Sequence, residues 1–222
     1  MKKAIKLLSI TILVLFLSSI VMVFLYKFIP IPTTPLMLSR YLFDDTPISY
    51  HWTPLKKITP NLALAVVASE DNLFTTHNGF DFEQIKIARE NAQKGKKLRG
   101  ASTISQQTAK NVFLWNGRSW IRKGLEAYFT ILIELIWGKE RIMEVYLNCI
   151  EMGKGIYGAA AVAEKNFKKT PDRLTRQECA LIAATLPNPR RFSSKHPSKY
   201  ILKRQKTILR YMKNIEKVEY EK

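Results

Sequence analysis

Residues Thr59-Pro60-Asn-Leu-Ala-Leu-Ala-Val-Val-Ala-Ser69-Glu70 decide how this chain is read. Thr59 is a good helix N-cap, and Pro60 suits the first helical position, where a missing N–H costs nothing. The apolar residues that follow contain no turn former, so a helix is predicted through to Glu70. A carboxylate that closes an apolar helix needs an explanation, and from its residues alone Glu70 fits two descriptions. One is a helix-terminal glutamate that faces water. The other is a partly buried carboxylate at the negative end of a helix dipole, where both effects raise its pKa toward the range useful for proton transfer.

Beyond Glu70 the chain reads as an irregular loop to Asp81, and a second helix is expected from near Thr103. His77, in Thr75-Thr-His-Asn-Gly79, is read as a hydrogen-bonded loop anchor. Lys94-Gly-Lys-Lys-Leu-Arg99 is a basic connection, either a solvated loop or a contact with lipid headgroups. Thr103-Ile-Ser-Gln106 fits a capping box and predicts a helix start. The stretch Gly100-Ala-Ser-Thr-Ile-Ser-Gln-Gln107 places hydroxyls and amides at that start, where free N–H groups and the positive dipole end favour anions. Lys110 follows Gln106 on the same face. A cap accounts for Thr103 and Gln106, but not for Ser102, Ser105 and Gln107.

Ser119 to Asn148 is apolar at helical spacing, with Gly138 as a break. Within it, Arg122, Lys123 and Glu126 project from one helical face. They read either as a structural ion pair or as a carboxylate beside cations that could grip a phosphate. Gly153 to Phe167 is rich in small residues. Pro171 to Leu186 reads as a further helix starting at Thr175, and Tyr200 to Tyr220 as a basic amphipathic tail, either solvated or laid on anionic lipid. No strand alternation and no repeat is visible, so an all-α domain is expected over 59–198, followed by a tail over 199–222.

Toward the amino terminus, Leu7 to Tyr26 is an uncharged run of 20 residues. At about 1.5 Å per residue it matches the roughly 30 Å hydrocarbon core of a bilayer. Lys2, Lys3 and Lys6 precede it and Lys27 follows, which predicts a cytoplasmic tail over 1–6, a signal anchor over 7–26 and an exported remainder. A cleaved signal peptide would have a shorter apolar run and an Ala-x-Ala site, and neither is present. Pro30, Pro32, Pro35, Pro47 and Pro54 make 27–58 read as a linker that hugs the surface.

The net charge is +18, and discounting the four flanking lysines leaves about +14 on the exported part. Export argues against nucleic acid and leaves anionic lipid or a phosphate-bearing substrate; a solvated basic surface accounts for much of the excess, but not for the basic residues inside motifs. Cys149 and Cys179 are the two cysteines, open to a disulfide or to buried thiols. With three histidines and no Cys/His cluster at zinc-ligand spacing, a transition-metal site is not expected.

Five ordered motifs carry a resemblance. Glu70-Asp-Asn-Leu-Phe74-Thr-Thr-His77-Asn-Gly79-Phe-Asp81 resembles the first motif of the peptidoglycan glycosyltransferases. Gly100 to Gln107 with Lys110-Asn111 resembles the second, and Arg122-Lys-Gly-Leu-Glu126 the third. Lys139-Glu-Arg-Ile-Met-Glu-Val-Tyr-Leu-Asn148 resembles the fourth, and Gly155-Ile-Tyr-Gly-Ala-Ala160 the fifth. Where the family has Tyr-Phe-Gly-Lys, this chain has Asn166-Phe-Lys-Lys169.

The resemblance implies a lysozyme-like helical domain at the outer face of a bacterial cytoplasmic membrane. It implies polymerisation of lipid II into β-1,4-linked glycan with release of undecaprenyl pyrophosphate and inversion at the donor carbon. It makes Glu70 the base for the acceptor hydroxyl and Glu126 an organiser of the leaving pyrophosphate. Lys110, Arg118, Arg122 and Lys123 match phosphate-binding positions, and Ser102, Gln106 and Gln107 donor-side contacts. Asp71, Phe74, His77, Gly79, Asp81 and Asn148 support the motifs. No obligatory cofactor is implied, though a divalent cation, Mg or Mn, is an expected guest at the pyrophosphate. Lipid II, the growing glycan and other wall-synthesis or division proteins are the expected partners. Neither Ser-x-x-Lys nor Lys-Thr-Gly occurs, so no transpeptidase activity is expected. A glycan-cleaving lysozyme-like enzyme and a non-catalytic membrane scaffold are the competing readings.

Overall fold

Residues 2–95, 102–117, 119–215 and 218–220 are described here from a computed structural model. Gly100, Ala101, Arg118 and most of the basic run from Lys94 to Arg99 lie outside them.

The first helix, α1 (Lys2–Tyr26), is apolar on every side and exposed along most of its length. It is long and apolar enough to cross a membrane. Its last turns dock on the rest of the chain. Trp137 Nε1 donates to the Val23 carbonyl at 2.7 Å, and Arg141 Nη2 donates to the carbonyls of Tyr26 at 2.7 Å and Ile29 at 2.5 Å. These donors occupy carbonyls that a helix end leaves unsatisfied, and the guanidinium suits the negative dipole end.

The stretch expected as a linker is instead woven into the domain. It forms α2 (Pro35–Phe43), capped by Thr34, and β1 (Ser49–Tyr50). Ile31, Met37 and Ile58 are buried, and the Asn148 amide brackets Thr53, accepting from its N–H at 2.8 Å and donating to its carbonyl at 2.9 Å. The prolines mark turns, but the apolar residues between them anchor the segment.

Helix α3 (Pro60–Glu70) forms as predicted, although the Thr59 side chain makes no cap hydrogen bond. Every residue from Leu62 to Ala68 is buried, so α3 is a central helix with no solvent stripe. Helix α4 (Phe82–Gln93) was not foreseen. Asp81 caps it, accepting from Gln84 N at 2.8 Å, but none of its residues is buried, so it lacks the apolar stripe that periodicity detects. The predicted capping box opens α5 (Ile104–Phe113). Helices α6 (Trp120–Ile136) and α7 (Gly138–Cys149) follow, divided at Gly138, whose φ of +76° favours glycine.

A small sheet, unseen in the sequence, joins β1 to β2 (Glu151–Gly153) and β3 (Ile156–Tyr157) in the order β1-β3-β2. Strands of two or three residues are too short to show alternation. The short α8 (Gly158–Val162) leads to α9 (Arg176–Thr185), opened by a Thr175–Glu178 capping box, and α10 (Lys199–Lys213), capped by Ser198. The region read as a tail is therefore largely a core helix. Ile201, Ile208 and Met212 are buried where α10 packs on α9 and α3, so its apolar face meets protein. Cys149 and Cys179 are free, buried thiols, and burial pushes each up to about 12.

Candidate active site

Glu70 ends α3 beside a cleft of about 540 Å³, lined also by Ser69, Asp71, Asn72, Gln84, Ser102 and Tyr211. Its side chain is only 14 % exposed. Burial raises its pKa above the ordinary glutamate value, opposed by the Ser69 hydroxyl, Arg204 and the Gln107 amide. Ser69 Oγ donates to Oε1 at 2.9 Å and Gln107 Nε2 donates to Oε2 at 3.4 Å. Gln107 is held in turn by Tyr146, whose hydroxyl donates to its Oε1 at 3.1 Å. A carboxylate so placed is oriented yet reluctant to ionise, which is what a general base near neutral pH requires.

Asp71 ties this corner together. It accepts from Ile104 N at 2.9 Å and sits 3.0 Å from His77 Nε2. The Gly79 N–H donates to His77 Nδ1 at 3.1 Å, so the proton of the neutral ring lies on Nε2 and points to Asp71. Thr103 Oγ1 donates to the Gly79 carbonyl at 2.6 Å. A Cβ on Gly79 would stand 2.8 Å from Thr130 Cγ2, so the loop needs glycine there. Phe74 is fully buried with the His77 ring edge-on to it. Asp71, Phe74, His77, Gly79 and Asp81 thus fix the loop against the start of α5, and Asn148 fixes the 53 segment.

The second group stands apart from this cleft. Glu126 is 4 % exposed on α6; Arg122 Nη1 lies 2.9 Å from Oε2, and Lys123 Nζ bonds Oε1. Neither Glu126 nor its cations line the Glu70 cleft; α5, bearing Gln107 and Lys110, packs against α6 between these groups in sequence. Lys110 is exposed in the last turn of α5. Gln106 is buried and its Oε1 accepts from Thr103 N, so it closes the capping box. Ser102 is exposed at the cleft, and its carbonyl faces Gln107 Nε2 at 3.4 Å. Arg118 lies outside the described residues.

The site offers no ready cage for a divalent cation. Both Glu126 oxygens are engaged by cations, and among the described residues no three His, Cys, Asp or Glu side chains come together as ligands.

Two residues of the site were not among the expected site residues. Tyr146, inside the fourth motif but not singled out within it, supports Gln107. Arg204, on the presumed tail, reaches Ser69 Oγ at 3.2 Å and Glu70 Oε1 at 3.6 Å. Only the amphipathic period of α10 hinted that this helix packs on something.

The helical domain thus carries a desolvated carboxylate in a polar cleft and a second, buried carboxylate paired with two cations. Residues 40–213 match the Transglycosylase family model, and the chain belongs to that family. It is 58 % identical over 207 residues to a biosynthetic peptidoglycan transglycosylase of Bacteroides thetaiotaomicron, covering 91 % of this chain and 84 % of the relative. Proteins of the same description from Bdellovibrio bacteriovorus and Caulobacter vibrioides are 52 % and 53 % identical, over 89 % and 88 % of this chain and 81 % and 85 % of theirs. The lysozyme-like helical architecture fits this family, and the apolar α1 fits a membrane-anchored enzyme.

Proposed function

We propose that this chain polymerises lipid II into β-1,4-linked glycan strands and releases undecaprenyl pyrophosphate. The observation that carries the reading is the contrast between two carboxylates: Glu70 desolvated in a cleft, Glu126 engaged by cations. Glu70 takes the proton of the acceptor 4-hydroxyl as that oxygen attacks the anomeric carbon of the growing chain. The C–O bond to pyrophosphate breaks in the same displacement, inverting the centre. Arg122 and Lys123, with Lys110 and Arg118, receive the phosphate charge, and Glu126 holds the first two in place. A pyrophosphate leaves with the help of cations and needs no proton from an acid. Were a Mg or Mn ion to accompany the substrate, it would supply further positive charge at the leaving group. The enzyme sits in the bacterial cytoplasmic membrane by α1, amino terminus inside and domain outside, polymerises glycan without transpeptidation, and works beside other wall-building proteins.

Purified full chain incubated with lipid II in detergent is expected to yield lysozyme-sensitive polymer, and Glu70→Gln to yield none while remaining folded. Polymer at the wild-type rate from Glu70→Gln would overturn the base assignment. Release of fragments from finished peptidoglycan without lipid II would favour a glycan-cleaving enzyme. Chelation is expected to slow polymerisation if the ion is used, and added Mg or Mn to restore it.

A further inference from the structure

Arg204 belongs to no motif that points to the chemistry, yet it arrives at the Glu70 carboxylate from the far end of the chain. We propose that Arg204 is a positioning residue: with Ser69 it holds the Glu70 carboxylate as an oriented anion at the cleft. The inference rests on the reading of Glu70 as the base.

The geometry forms a short relay. Arg204 Nη2 donates to Ser69 Oγ at 3.2 Å, and that hydroxyl donates its proton to Glu70 Oε1 at 2.9 Å. The same Nη2 stands 3.6 Å from Oε1, so hydroxyl and guanidinium converge on one oxygen. Gln107 holds the other oxygen from α5. The carboxylate is therefore gripped from its own helix, from α5 and from α10.

Other charged or titratable groups around Glu70 do not supply this attraction. Asp71, the next residue, is negative and faces His77 and Ile104 N. Asp81 on the cleft wall is a further carboxylate and caps α4. Tyr146 from α7 stays neutral at ordinary pH because burial pushes its phenol far up, and it serves Gln107. Against Asp71 and a desolvated site, Arg204 is the one cation that joins the Ser69 hydroxyl and the Gln107 amide in favouring the ionised form.

Arg204 is also more than glue for its helix. Ile201, Ile208 and Met212 already seat α10. The Arg204 side chain is 31 % exposed, and among the described residues its buried Nε has no acceptor.

The test is the pH dependence of kcat/KM for lipid II polymerisation by the full chain, from about pH 5 to pH 9. Removing a cation raises the pKa of the neighbouring acid. Arg204→Ala should therefore lose about tenfold in kcat/KM on the acid side of the profile and approach wild type at high pH. Arg204→Lys should restore most of the loss, and Ser69→Ala should displace the profile in the same direction. An acid limb that stays in place in folded Arg204→Ala, or a uniform loss at all pH values, would overturn the proposal. Should Arg204→Ala fail to fold, Arg204→Lys and Ser69→Ala decide: wild-type profiles in both overturn it. Inactive Glu70→Gln alongside an unshifted Arg204→Ala profile would refute this inference alone, whereas active Glu70→Gln would refute the base assignment beneath it.

Discussion

Glu70 illustrates how one residue carries opposing demands. Its folded pKa is raised by burial, so ionising it inside the fold costs more than ionising it in the unfolded chain. The stability it contributes is present in full below the unfolded value, near the ordinary glutamate value of 4.5, and is lost as pH rises through the higher folded value. Glu70→Gln should therefore be more thermally stable than wild type at neutral pH, by about 2–4 °C if the gain is about 1 kcal/mol. That difference should vanish in acid; thermal unfolding at several pH values reads it. Glu126 has the opposite logic, because its charge is matched. Glu126→Gln leaves the buried Arg122 without its carboxylate and should cost about 3 kcal/mol in denaturant unfolding, whereas Glu126→Gln with Arg122→Met should cost less than the single change. Both glutamates were legible as residues of interest, since each interrupts an apolar helix. The pairing of Glu126 was legible too, because Arg122 and Lys123 lie within four residues of it. The desolvation of Glu70 was one of two open readings, because burial is a property of neighbours distant in sequence.

At the scale of elements, local chemistry wrote the helix starts plainly. Thr103 and Thr175 form capping boxes where the sequence places them, and Gly138 divides α6 from α7. Thr103 does more than cap, since its hydroxyl also donates to Gly79. Thr103→Ala should cost about 1 kcal/mol for the cap and somewhat more for that tie, and lower polymerisation by loosening the loop that follows Glu70. The junction of α7, β3 and α8 is stricter. Gly158 has a φ of +79°, and a Cβ there would lie 2.3 Å from the Asn148 carbonyl. Gly158→Ala should destabilise by about 3 kcal/mol, measurable by chemical denaturation. Helix α4 and the three short strands stayed hidden, the first for want of an apolar stripe, the others for want of length.

For the whole molecule, the anchor is also a structural part. Trp137 and Arg141 close the end of α1, and Ser19 lies 2.8 Å from the Tyr128 hydroxyl. Removing residues 2–26 should lower polymerisation in lipid vesicles by at least about tenfold, through lost concentration at the surface. Rates in detergent should fall less, and the domain should melt earlier because Trp137 loses the Val23 carbonyl and Arg141 that of Tyr26. The sequence by itself determined a helix long and apolar enough to span a membrane, the helical class, the helix starts at Thr103 and Thr175 and the family motifs, because each is set by neighbours within a few residues. Only the tertiary structure decided that the proline-rich lead-in and the basic final helix belong to the domain, and that α10 delivers Arg204 to Glu70. Those contacts join residues far apart in the chain, and the energy that selects them is burial of apolar faces whose partners no local pattern names.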